Sequence, residues 1–259
     1  MRPDGTMHDT ISRFEAGAAT DVGKVRRQNE DNYLVATNSG VWAVADGMGG
    51  HEAGEVASRI VIEELQVIAA PSSAAALLAG CEARLVGANN RLKEIAKERG
   101  GVLIGTTVAV LLAYQEFYAC VWSGDSRVYR IRDRAIEQLT VDHTEVQLLL
   151  AEGKLTAAEA RTWPRRNVVT RAIGVYESPE LEMVSGVLEP GDIFVICSDG
   201  LTGHVEDQEI LAAAGRNPPQ PACDLLVALT LERGASDNVT VVAVRLDPAA
   251  PPASGGVSE

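Results

Sequence analysis

The chain has 259 residues, enough to bury one large core, and 46% of them are hydrophobic. Its formal net charge of -13 argues against a nucleic-acid partner, because a phosphate backbone rewards basic stripes and none is present. No run reaches the ~18 to 20 apolar residues that span a bilayer and no signal peptide opens the chain, so no membrane role is expected and the expected setting is a reducing cytoplasm.

In chain order, residues 1–10 lack periodicity and are expected to be flexible, residues 11–247 read as one domain, and the Pro-, Ala-, Gly- and Ser-rich stretch 248–259 reads as a disordered tail. Strand-like runs come first: Phe14 to Ala19, Asn32 to Thr37 and Val41 to Ala45. Val56, Ile60, Val61, Leu65 and Ile68 then recur at helical spacing, and a second helix repeats the pattern from Leu77 to Ile95 before Gly100-Gly101 ends it. Four more strands are expected at Thr107–Ala113, Phe117–Trp122, Arg127–Ile131 and Ala135–Leu139. Their connectors are too short for parallel crossovers, so they form an antiparallel meander. Residues 142–174 carry weak core signals and read as peripheral, with helical propensity at Glu145–Ala151 and Thr156–Arg161. Strands at Leu181–Val187 and Asp192–Cys197, helices near Glu206–Ala214 and Pro221–Arg233, and a strand at Val239–Leu246 complete the chain. Strands and helices in blocks predict an α+β layered sandwich.

Four cysteines, Cys81, Cys120, Cys197 and Cys223, are far apart and form no C-x-x-C pair, so they read as buried free thiols. A thiolate loop that cradles phosphate needs a Cys followed by five residues and an Arg, and none of the four has it; Cys120 is nearest, with Arg127 one residue too far.

The chemistry concentrates in four aspartates. Asp46, Asp125, Asp199 and Asp237 each sit at a Gly- or Ser-rich turn, and three directly follow an apolar run. Any one Asp-Gly pair suits a tight turn. Four acids at strand ends, none beside a Lys or Arg, instead suggest one oxygen-rich cluster able to hold a divalent cation. Four glycines within Gly47–Gly54 let backbone approach a ligand closely, although the Gly-Lys-Ser/Thr ending of a P-loop is absent.

Taken together, Arg26-x-x-Asn29-Glu30-Asp31, Asp46-Gly47-Met48-Gly49-Gly50-His51, Gly105-Thr106-Thr107, Gly124-Asp125-Ser126-Arg127, Ser198-Asp199-Gly200-Leu201 and Asp237-Asn238-Val239-Thr240 resemble the bacterial branch of the type 2C, metal-dependent serine/threonine protein phosphatases. Six fragments in order across residues 14–246 make a specific signal. The resemblance implies two central antiparallel sheets packed as a sandwich, flanked by helices, with a binuclear Mn²⁺ or Mg²⁺ site at one end. It makes Asp46 the carboxylate bridging two ions, with the Gly47 carbonyl on the second ion, Asp199 and Asp237 on the first, and Asp125 with Asp199 on a third. Glu30 would act through metal-bound water, with Asp31 behind it. Arg26 would bind phosphate and His51 would be the general acid, while a hydroxide bridging the ions attacks phosphorus without a covalent intermediate.

By the same resemblance, residues 142–174 correspond to a flap beside the active site, here with Trp163-Pro164 in place of the common His-Pro. Arg161, Arg165, Arg166 and Arg171 form a basic patch there, suited either to acidic substrate segments or to ordinary salt bridges. The expected partners are phosphorylated proteins and a separate serine/threonine kinase whose targets the enzyme would reset as a monomer. Two other readings stand beside this one: a phosphoprotein-binding module without catalysis, which should lack a metal carboxylate, and a metal-dependent hydrolase of small phosphorylated metabolites.

Overall fold

The computed structural model describes residues 13–49 and 53–247; His51 and the expected flexible ends lie outside them. Eleven strands and seven α-helices are described. The strands are β1 (Phe14–Asp21), β2 (Asp31–Ala36), β3 (Val41–Gly49), β4 (Ile104–Thr106), β5 (Val108–Tyr114), β6 (Phe117–Ser123), β7 (Arg127–Arg132), β8 (Ala135–Gln138), β9 (Glu182–Val187), β10 (Ile193–Cys197) and β11 (Val239–Leu246). The helices are α1 (Ala53–Gln66), α2 (Ala74–Glu98), α3 (Glu145–Ala151), α4 (Ala157–Arg161), α5 (Asp199–Thr202), α6 (Asp207–Arg216) and α7 (Pro219–Glu232).

One sheet runs β1-β11-β10-β7-β8 and the other β2-β3-β5-β6-β9, with β4 paired to β3. Every pairing is antiparallel. Three apolar clusters define the layers. Trp42, Leu111, Trp122, Phe194, Ile196 and Val244 fill the space between the sheets. Val110, Leu112 and Val121 pack under Ile60, Leu65, Leu85 and Leu92 of α1 and α2. Val195, Val241 and Ala243 pack under Leu201, Ile210, Leu226 and their neighbours in α5, α6 and α7. The order is therefore helix, sheet, sheet, helix. It explains why Val108–Ala113 is a continuous apolar run: β5 is covered on both faces, so neither face can be polar.

Three expectations need correction. The four-strand meander breaks at Gly124–Ser126 into two pairs in different sheets: β6 pairs with β5 and β9, and β7 with β8 and β10. The strand expected to stop at Ala45 continues to Gly49, because Gly47, Met48 and Gly49 pair with Thr106, Gly105 and Ile104 of β4. Asp46-Gly47 is thus strand, not turn. Asp199 is not in an open turn either; it is the first residue of α5, with Ser198 as N-cap.

Antiparallel pairing brings particular strand ends together. Asp31 starts β2 opposite Asp46 on β3, and Ser123 ends β6 opposite Val108 at the start of β5. Cys197 ends β10 opposite Arg127 at the start of β7, and Asp21 ends β1 opposite Val239 at the start of β11. The Gly124–Ser126 link passes from one sheet to the other. All four candidate aspartates consequently lie at one end of the sandwich.

Candidate active site

Asp46 is held by backbone on both sides. Its carbonyl accepts from the Thr107 N–H (2.8 Å) and the Thr106 Oγ1 hydroxyl (2.8 Å), and its own N–H donates to Thr107 Oγ1 (3.3 Å). Gly47 N–H donates to the Glu30 carbonyl (3.1 Å), which also accepts from Ser58 Oγ (2.6 Å) on α1. A Cβ on Gly47 would lie 2.1 Å from the Gly54 carbonyl oxygen, so glycine is required where β3 meets the start of α1. The Glu30 carboxylate accepts from the Gly54 N–H and packs over that residue.

The second half of the site hangs on Asn238. Its Oδ1 accepts from the Glu30 N–H (2.8 Å), and its Nδ2 donates to the Val22 and Gln28 carbonyls (2.9 Å each). One buried amide therefore ties the Arg26–Glu30 loop to the Asp237 turn. Against that turn lies Gly200, whose added Cβ would meet the Asn238 carbonyl oxygen at 1.8 Å. Arg26 Nη2 donates to Asp237 Oδ2 at 2.6 Å. Asp237 thus has a cation partner that lies 211 positions away in sequence, contrary to the expectation of unpaired acids.

Asp125, at 6% exposure, sits in the link between β6 and β7, which is gripped on three sides. Thr107 Oγ1 and Ser126 Oγ are hydrogen-bonded at 2.7 Å. Arg127 makes a bidentate pair with Asp142, Nε to Oδ1 at 2.9 Å and Nη2 to Oδ2 at 2.6 Å. Gly124 N–H donates to His143 Nδ1 at 3.1 Å. Asp125, Asp199 and Asp237 line a cleft of about 660 Å³ together with Arg127, Arg161 and Arg166. Of the four flap arginines, Arg165 is paired with Glu145 and Arg171 with Glu180 and Glu182, while Arg161 and Arg166 face the cleft.

The electrostatics are those of crowded carboxylates. Burial, and then Asp31, Asp199, Asp125 and Asp237, push Asp46 well above the usual carboxylate range. Burial raises Asp31 to about 7 against hydrogen bonds from Thr240 and Ser198, and burial with Asp199 raises Asp125 to about 8. Burial and Asp237 raise Asp199. Ser198 Oγ donates to Asp31 Oδ2 (2.8 Å), yet among the described residues the buried Asp31 Oδ1 has no hydrogen-bond partner. Among the described residues no three His, Cys, Asp or Glu side chains already stand in metal-ligand geometry; Asp237 is held by Arg26. The donor chemistry nonetheless fits hard divalent cations: every candidate is an oxygen, the acids repel one another, and one buried oxygen is unsatisfied.

Residues 24–219 match the family model for protein phosphatase 2C. The chain belongs to the protein phosphatase 2C family. It is 38% identical over 227 residues to the serine/threonine protein phosphatase PstP of Mycobacterium tuberculosis, covering 87% of this chain and 43% of that protein; it thus spans less than half the length of that relative. Among solved structures, PppA, described as a key regulatory component of T6SS in Pseudomonas aeruginosa, superposes with a TM-score of 0.85 at 39% identity, covering 91% of this chain and 98% of that one. The catalytic domain of a PstP in complex with two manganese ions superposes with a TM-score of 0.81 at 34% identity, covering 91% and 99%. The αββα sandwich of this 2C chain agrees with the fold expected from its motifs.

Sequence reading gave Asn238, Thr106 and Thr107 no role although it quoted all three within motifs. Their positions beside Asp46 and Asp237 were the available signal. His143 carried none, because its contact with Gly124 depends on how the flap root folds back.

Proposed function

We propose that this chain is a metal-dependent serine/threonine protein phosphatase that hydrolyses phosphoserine and phosphothreonine on proteins. The carrying observation is the gathering of Asp46, Asp125, Asp199 and Asp237 at one end of the sandwich with the Arg26 guanidinium among them. Asp46 and the Gly47 carbonyl, with Asp199 and Asp237, would hold two Mn²⁺ or Mg²⁺ ions; Asp125 and Asp199 would hold a third, and Glu30 would act through water. When bound, such a pair of cations supplies an ionised water at neutral pH and neutralises phosphate charge for in-line attack.

The chain's own groups do the rest. With Asp237 holding a cation, Arg26 would be free of its partner, and its planar fork is suited to two non-bridging phosphate oxygens. His51, which follows Gly49-Gly50, is the candidate acid that protonates the departing serine or threonine oxygen. The Asn238 bridge keeps the Arg26–Glu30 loop in register with Asp237. Arg161 and Arg166 would receive acidic residues flanking the phosphorylated one. In the cell we place the enzyme in the cytoplasm as a monomer opposing a separate serine/threonine kinase; four free, buried cysteines suit a reducing compartment.

Asp237→Ala is the direct test. It should abolish metal-dependent phosphopeptide hydrolysis while the protein stays folded by circular dichroism, and near-normal turnover would remove the assignment.

A further inference from the structure

We infer that His143 is a positioning residue that locks the Gly124–Ser126 link carrying Asp125 to the root of the 142–174 flap, so that divalent-ion binding at Asp125 depends on the His143 Nδ1 acceptor. The inference rests on the proposed metal role of Asp125. His143 is buried and its ring stacks on Trp122, with centroids 6.0 Å apart. It grips Gly124 twice: the Gly124 N–H donates to Nδ1 (3.1 Å), and the His143 N–H donates to the Gly124 carbonyl (3.0 Å). The preceding residue, Asp142, grips Arg127 on the far side of Asp125. Two consecutive flap residues therefore bracket one candidate ligand.

The other face of His143 looks into the flap. Its carbonyl accepts from the Thr170 N–H (2.8 Å), and Thr144 forms a bridge with Val169. Nε2 lies 3.3 Å from Glu182 Oε1 and 3.3 Å from Arg171 Nη1. With Nδ1 accepting, the ring proton resides on Nε2, where Glu182 receives it. Gly124 has φ of +114°, and a Cβ there would meet Thr107 Cβ at 2.5 Å. The link accordingly has one packed position and few alternatives. Deleting the acceptor strands a buried N–H beside Asp125, a defect on the order of a tenfold change in any equilibrium that needs the link in place.

Three variants separate the acceptor from packing. In His143→Asn the amide oxygen can take the place of Nδ1; His143→Phe keeps the stacked ring and has no acceptor; His143→Gln places its oxygen near Nε2. Mn²⁺ binding is measured by calorimetry without substrate, with Trp122 fluorescence as a second readout and thermal unfolding as a check that each variant folds. His143→Phe and His143→Gln should weaken the weakest Mn²⁺ class about tenfold and leave tighter binding unchanged, whereas His143→Asn should stay within about threefold of wild type. Wild-type affinity in His143→Phe, equal losses in all three variants, or loss of folding in His143→Asn would overturn the inference. Failure of the wild-type chain to bind Mn²⁺ would instead overturn the proposed function, and the inference with it.

Discussion

Asp31 and Asp46 stand opposite one another in the β2–β3 ladder, so two carboxylates share one patch. Such an arrangement is unfavourable for the ionised forms and tolerable when a divalent ion is present.

Stability of the metal-free protein should therefore fall as pH rises. Asp31 is raised to about 7 and Asp125 to about 8, both far above an unfolded Asp. The folded state binds more protons between the two values, so the stabilisation is complete below the unfolded pKa and is lost as pH climbs through the folded one. Each pKa unit is worth about 1.4 kcal/mol, so the two acids together amount to several kcal/mol. In EDTA, the midpoint of urea denaturation should drop between pH 5 and pH 8, and Mn²⁺ should remove most of the drop. A flat profile in EDTA would contradict the electrostatic reading of the cluster.

On the proposed assignment Arg26 and a cation would compete for Asp237, because the guanidinium lies 2.6 Å from Oδ2. Arg26→Ala should lower kcat/KM on phosphopeptides by roughly 10- to 100-fold through loss of charged hydrogen bonds to phosphate. It should at the same time leave Mn²⁺ affinity equal or a few-fold tighter. Weaker Mn²⁺ binding in this variant would show that Arg26 supports the site rather than competing for it.

Much of the architecture is legible in the chain, and the gaps have physical causes. Apolar runs bounded by turn residues mark ten of the strands, and connectors as short as Arg132-Asp133-Arg134 dictate antiparallel pairing. The three residues of β4 escape notice because Ile104-Gly105-Thr106 is too short to alternate and has glycine at its centre. Asp46-Gly47 has strong turn propensity, which pairing with Thr106 overrides. The acids themselves stand out by position, whereas the Arg26–Asp237 pair and the His143–Gly124 bond are tertiary contacts that no local pattern encodes.

Glycines at the site and glycines on helices should respond oppositely to alanine. A Cβ on Gly200 would press into the Asn238 backbone at 1.8 Å, whereas Gly80 in α2 has open space. Gly200→Ala should cost about 1–3 kcal/mol and reduce activity as the Asp199 and Asp237 segments are pushed apart. Gly80→Ala should stabilise by about 0.5–1 kcal/mol with unchanged turnover. Denaturant titration alongside an activity assay distinguishes the two, and a neutral Gly200→Ala would contradict the described packing.

Charge reversal at Arg161 and Arg166, which line the cleft, should raise KM for phosphopeptides with acidic flanks by roughly three- to tenfold, at about 1 kcal/mol or less per exposed charge. KM for an uncharged aryl leaving group should barely move. Equal changes on both substrates would place the arginines in structure rather than in substrate selection.

The most direct measurement assays the purified protein on phosphoserine, phosphothreonine and phosphotyrosine peptides with Mn²⁺, and again after chelation. Hydrolysis of the first two that vanishes with EDTA and returns with Mn²⁺ is the expected result; hydrolysis that survives chelation would contradict the central claim.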